Sequence, residues 1–247
     1  MMSNYCEPAP GYDLYAIRGW HGSFHLLHDA RRDEAVLIDT GLMGEMGRLR
    51  ATLKRIGLGW KDIRAILLTH GHLDHTGNLA ELRELTGAPV FAHPAEQTHI
   101  EGRFPYRGAA RLCGGMEAVG RTVLRYRAAP IDEPLVPGAE LPFWHGLEVI
   151  HLPGHTEGHC GFYSRRFNLL FSGDLFACYW FSTHLPPFFL NSCPEKFPES
   201  VRRVVEMSPR YIVPNHYDRS DHEMHRQKFD ALAARVLGVA RDLRARG

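Results

Sequence analysis

The chain has 247 residues, long enough to bury a sizeable core, and is expected to form one domain over 1–247. With 29 Lys and Arg against 28 Asp and Glu the formal charge is +1, which argues against nucleic acid or an anionic membrane surface as a partner. The five cysteines include no CxxC pair, no stretch approaches the roughly 18 apolar residues of a membrane span, and the N-terminus lacks a secretory pattern, so a cytoplasmic protein is expected.

In chain order, residues 35–39 (AVLID) form an apolar run stopped by Thr40 and Gly41, which predicts a buried strand. Residues 47–56 carry Leu49, Leu53 and Ile56 at helical spacing up to Gly57. A second buried strand over 63–69 (IRAILLT) runs into His70, a helix over 78–86 ends at Gly87, and 89–92 (PVFA) is another strand. The second half repeats this order. Strand 148–152 (EVIHL) leads into Pro153-Gly154-His155, and strand 168–172 (NLLFS) ends at Gly173-Asp174. A helix spans 199–207, strand 210–214 (RYIVP) delivers Asn215 and His216, and a closing helix over 220–246 is apolar at Phe229, Leu232, Val236 and Val239. VLIDTG corresponds in kind to LLFSGD and AILLTH to YIVPNH, as an internal duplication would leave them. Residues 95–137 break the rhythm and read as an insertion with a helical stretch at 116–126. The aromatic stretch 176–189 (FACYWFSTHLPPFF) reads as a pocket wall, a lid or a homodimer contact.

Residues 69–77 read THGHLDHTG and place His70, His72, Asp74 and His75 between a buried strand and a helix. Imidazole and carboxylate are suitable ligands for zinc, iron or manganese. Alternation along an extended loop points His70 and His72 to one side and leaves Asp74 and His75 for a second ion. Further ligands are expected at other strand ends: His155 in PGHTEGH, Asp174 in FSGD and His216 in PNHY. The bland alternative is a set of polar residues that merely hydrogen-bond backbone, and it weakens with each successive match. His93, His151, His159 and His184 are expected to be structural or to brace ligands, His222 and His225 to face solvent, and the cysteines to be small core or loop residues.

THGHLDH followed by PGHTEGH, SGD and a late His resembles the metallo-β-lactamase superfamily over nearly the whole chain. The resemblance implies an α/β fold of the αβ/βα four-layer sandwich type, with two mixed sheets and the site along one edge. It also implies His70, His72 and His155 on one ion, Asp74, His75 and His216 on the other, Asp174 bridging them, and Asp39 bracing the ligand loop. Two divalent metal ions, zinc first and iron or manganese as alternatives, would then activate a shared water. The substrate would be an ester, lactone, thioester or phosphoester of a small apolar molecule, with Asp74 as the catalytic carboxylate that orients the water or passes a proton.

Asp174 argues against a true β-lactamase. Glyoxalase II-type thioesterases share PGHTxGH, but their usual GDTLF stretch is replaced by residues 173–180 (GDLFACYW), and little chain follows His216. N-acyl homoserine lactonases are similar in length and ligand set, which keeps lactones open. Two rivals use the same pattern: a mononuclear iron persulfide dioxygenase, which consumes oxygen, and an RNA-processing nuclease, for which the arginines from Arg107 to Arg127 are the basic feature.

Overall fold

The computed structural model describes residues 4–179, 181–218 and 221–238, and of residues 4–9 and 222 the backbone alone. The first sheet is built in chain order from β1 (Asn4–Ala9), β2 (Tyr12–Arg18), β3 (Ser23–Asp29), β4 (Glu34–Ile38), β5 (Ile63–Leu67), β6 (Val90–Ala92) and β7 (Glu133–Pro134). Strands β1 to β4 pair antiparallel, whereas β4, β5, β6 and β7 run parallel. The second sheet contains β8 (Glu140–Leu141), β9 (Leu147–His151), β10 (Cys160–Ser164) and β11 (Leu169–Gly173). A small hairpin, β12 (Ala177–Cys178) and β13 (Thr183–His184), follows, and β14 (Tyr211–Pro214) returns to pair parallel with β11.

The helices are α1 (Met46–Arg55), α2 (Leu73–Thr76), α3 (Leu79–Thr86), α4 (Gln97–Ile100), α5 (Arg111–Val123), α6 (Phe197–Met207) and α7 (His222–Val236). Alternation of side chains along the parallel strands decides the layers. Val36, Ile38, Ala65 and Leu67 face a core shared with Val149, Phe162 and Phe171 of the second sheet and Val201, Val204 and Phe229 of α6 and α7. Their neighbours Leu37, Ile66 and Leu68 point the other way, onto Leu49 and Leu53 of α1 and Leu79 and Leu82 of α3. Helix, sheet, sheet and helix therefore stack as the expected four layers. Strands β2 to β5 and β9, β10, β11 and β14 share the same succession of antiparallel, antiparallel and parallel pairings, with α1 and α6 as the matching crossovers.

Four findings depart from the sequence reading. Strands β1 to β3 and β10 fall where no element is expected from the sequence, although β2 alternates buried and half-buried residues as a strand should. The turn of helix α2 begins inside the histidine motif, ahead of the predicted helix 78–86. His225 is 0% exposed rather than solvent-facing, because it lies on the same side of α7 as Phe229 and Leu232 and its ring packs 5.1 Å from that of Tyr217. The closing helix ends at Val236, and the remainder of its predicted span, including Val239, lies outside the described residues. Among the described residues, no helix is long and apolar enough to cross a membrane.

Phe171 is fully buried at the contact between the sheets, beside Trp144 and His25. Phe171→Ala is expected to lower unfolding stability by about 3–5 kcal/mol, as truncating a buried aromatic does. Urea titration of the two proteins measures the difference, and a loss under about 1 kcal/mol would contradict this placement of the core.

Candidate metal centre

The polar residues at the carboxyl ends of β4, β5, β9, β11 and β14 meet at one edge of the two sheets, where the strands stop and the chain must turn. Beyond β4, Asp39 adopts φ +62°, a left-handed conformation that Asp tolerates better than most residues, and its carboxylate is wholly buried. Oδ1 accepts from the Thr69 amide at 2.8 Å, and Oδ2 accepts from Thr69 Oγ1 at 2.8 Å, Asn215 Nδ2 at 2.7 Å and His75 Nδ1 at 2.9 Å. Asp39 is thus the brace expected behind the histidine loop, and it also joins that loop to the end of β14.

The structure brings together all seven sequence-predicted site residues. Donor atoms of His70, His72 and His155 lie within 4.8 Å of one another, as do those of His70, His75 and Asp174 and those of Asp74, His75 and His216. Asp174 stands between the groups: Oδ1 is 3.4 Å from His75 Nε2, and Oδ2 is 3.1 Å from His216 Nε2 and 3.5 Å from His155 Nε2. Asp74 Oδ2 lies 3.4 Å from His216 Nε2 and 3.7 Å from His75 Nε2.

Hydrogen bonds behind the rings orient three of the imidazoles. His75 Nδ1 donates to Asp39, His155 Nδ1 to Asn191 Oδ1 at 2.9 Å, and His216 Nδ1 to the His21 carbonyl at 2.9 Å. Each Nδ1 thereby carries a proton, and Nε2 is left turned inward. His159 does the reverse of a ligand: Nδ1 donates to the Leu152 carbonyl, and Nε2 accepts the Asp174 amide, both at 2.9 Å. It braces Asp174, in keeping with the structural role expected for it. His93 and His151 stack on one another at 5.0 Å, away from these groups.

The charges divide the centre. Burial drives His70 well below the usual imidazole range and lowers His72 and His155 to about 4, so these three rings are neutral. Burial opposes protonation of His75 and His216 as well, but Asp174 and Asp74 outweigh it and hold both above the ordinary value. Burial likewise acts to raise Asp74 and Asp174, and the facing imidazoles of His75 and His216 overcome it and hold both carboxyls low. Two carboxylates therefore demand positive charge at this point. The inward His70 and His75 Nε2 atoms and Asp174 Oδ1 are buried with no hydrogen-bond partner among the described residues, and His72 turns Nδ1 toward His155 Nε2 at 2.9 Å. Desolvated polar atoms left open in this way are costly unless something binds them, and neutral imidazoles beside carboxylates form a donor set for divalent cations. The residues present fit a metal centre.

The centre forms the floor of a cavity of about 410 Å³. Its walls are largely apolar, from Met116 on α5, Phe176, and Pro186, Pro187 and Leu190 of the aromatic stretch and the turn after it, with Tyr179 and His184 also on the lining. That stretch is a pocket wall on one side, while Phe181 and Phe188 project outward. Trp180 lies outside the described residues. Cys113 also reaches the cavity, but burial and Glu117 push its thiol up to about 12, which makes it a poor nucleophile.

Four contributors to the centre went unassigned in the sequence: Asn191, Asn215, Glu96 and Glu117. Asn215 is adjacent to His216, whereas Asn191 sits in a turn with no motif, held by donating Nδ2 to the Pro186 and Pro187 carbonyls. Glu117 Oε1 accepts the Leu73 amide at 2.8 Å, so α5 supports the histidine loop from the cavity side. Burial raises the Glu96 carboxyl to about 7 against the pull of the Gly71 and Gly158 amides.

The sequence pattern of the metallo-beta-lactamase superfamily matches residues 18–235. The probable metallo-hydrolase YybB of Bacillus subtilis (strain 168) is 33% identical over 144 residues, or 58% of this chain and 58% of YybB, so the match spans less than two thirds of that relative. The metallo-beta-lactamase family protein TTHA1429 from Thermus thermophilus superposes with a TM-score of 0.73 at 25% identity, covering 93% of this chain and 80% of that one. TTHA1623, solved in a di-iron-bound form, gives a TM-score of 0.60 at 30% identity, covering 81% of this chain and 90% of its own.

Asp39→Ala would strip acceptors from Thr69, His75 and Asn215 together. Removing one side of a buried polar network costs about 3–5 kcal/mol, and a loss of that size is expected in urea unfolding of the metal-free protein. A loss within about 0.5 kcal/mol of zero, the range of an ordinary surface change, would mean that Asp39 does not hold these loops.

Proposed function

The chain belongs to the metallo-beta-lactamase superfamily, and from that premise we propose that it is a dinuclear metal-dependent hydrolase of small apolar esters, lactones, thioesters or phosphoesters. The observation that carries the reading is the convergence of seven donor side chains in overlapping groups, with Asp174 reaching both sides. His70, His72 and His155 would hold one ion and Asp74, His75 and His216 the other, with Asp174 shared. Zinc is the first candidate, and the di-iron form of the similar TTHA1623 supports iron as an alternative. Divalent cations held there supply a water of lowered pKa and stabilise negative charge developing on the substrate oxygen.

The chain's own groups do the rest. Asp39, Asn191 and the His21 carbonyl fix the ligand rings, so the centre is set before substrate arrives. The Asp74 side chain is 29% exposed against 7% for Asp174, and it lines the cavity floor, which places a carboxylate oxygen where a proton can be taken up and handed to a leaving group. The apolar walls bind the non-reacting part of the substrate and exclude water from the floor. Arg121 and Arg127, from the basic stretch noted in the sequence, are taken up by Glu117 and Glu84.

The test is metal quantification in wild type and Asp174→Ala, with oxygen uptake and a panel of apolar lactones, esters, thioesters and phosphodiesters. Two ions per chain and hydrolysis without oxygen uptake are expected, with metal content and turnover both reduced in Asp174→Ala, turnover by about 100-fold. A chelator should abolish turnover and added zinc restore it. One iron per chain with persulfide-dependent oxygen uptake would overturn the reading in favour of a dioxygenase.

A further inference from the structure

Glu96 closes a 3-10 turn, Pro94–Glu96, just beyond β6, and its side chain is fully buried between loops that arise from different sheets. Oε2 accepts the amide of Gly71, which lies between His70 and His72, at 2.7 Å. Oε1 accepts the amide of Gly158, in the loop that carries His155, at 2.8 Å. Both glycines are dictated by close approach. A Cβ at Gly71 would stand 2.6 Å from His99 Cβ, and one at Gly158 would stand 2.7 Å from both Glu96 Oε1 and His93 Nδ1. A single carboxylate therefore spans the two loops on the side where His72 Nδ1 and His155 Nε2 face one another at 2.9 Å.

We propose that Glu96 is a positioning residue for the three-histidine half of the centre, setting the spacing of His72 and His155 and with it the metal affinity of that half. The inference rests on the metal-holding reading above. The two loops are also tied by the Cys160 amide on the Thr69 carbonyl at 2.8 Å, next to His70 and His159. With that tie kept, loss of the Glu96 bonds lets the loops turn about it, and the displacement falls on His72 and His155 at the far side. Glutamine at 96 keeps one acceptor but presents an NH2 group to the other amide, leaving two buried donors face to face.

The experiment uses the purified full chain, stripped of metal and titrated with zinc against a chromogenic chelator, as wild type, Glu96→Gln, Gly158→Ala and the control Glu101→Gln. Urea unfolding of each metal-free protein reports stability separately. Wild type and Glu101→Gln are expected to take two zinc ions with the same affinities. Glu96→Gln and Gly158→Ala are expected to keep one zinc at wild-type affinity and to bind the other about 10- to 100-fold more weakly. Gly158→Ala retains the carboxylate but displaces it, so it carries the test if Glu96→Gln does not fold. Folded variants that bind both ions as wild type does would overturn the role of Glu96 and leave the metal centre standing. A wild type that takes up neither zinc, iron nor manganese would overturn both.

Discussion

Asp39 is the point on which the edge of the molecule turns. A carboxylate taken wholly out of water is costly unless its lone pairs are filled, and four donors from Thr69, His75 and Asn215 fill these. The donors come from the ends of β5 and β14, strands of different sheets, so one buried charge fixes the histidine loop relative to the second sheet. Glu45 works in the same way lower down, accepting amides of Trp20 and Leu42. Carboxylates that accept backbone N–H groups are a strong means of holding irregular chain, because charge-assisted bonds exceed neutral ones.

This frame of buried carboxylates makes the centre possible. Five histidines and two aspartates gathered at one edge bring desolvated rings, facing carboxylates and open lone pairs into one small volume. Left to themselves such groups would separate or neutralise one another, as the opposed shifts of His75 and Asp174 indicate. They are held instead by bonds on the far side of each ring, with a proton committed to Nδ1 in His75, His155 and His216. The arrangement keeps seven metal-ligating side chains gathered at one edge of the sheets.

The cavity follows from the same loops. Helix α5 meets the histidine loop through Glu117 and the Leu73 amide, and Asn191 ties the Pro186 and Pro187 carbonyls to His155. Residues that line the apolar walls are thus joined through hydrogen bonds to residues of the floor. On the hydrolase reading proposed above, a substrate seated against Met116 or Pro187 would meet a wall whose position is coupled to the centre.

The parallel strands that build the site, and the polar residues at their ends, could be read from the order of residues. Runs such as AVLID, IRAILLT and RYIVP are apolar because both of their faces are buried, and each stops at a residue that cannot be buried without a purpose. Asp39, His70, His155, Asp174 and His216 were legible for that reason. The antiparallel strands β1 to β3 and β10 emerged only from pairing; β3, for example, is buried along all seven residues although Ser23, His25, His28 and Asp29 are polar, so no apolar run marks it. Tertiary structure also decided the burial of His225 and the parts played by Asn191, Glu96 and Glu117. These residues act through groups distant in the chain, and no local spacing records which amide or ring a side chain will meet once two sheets have packed.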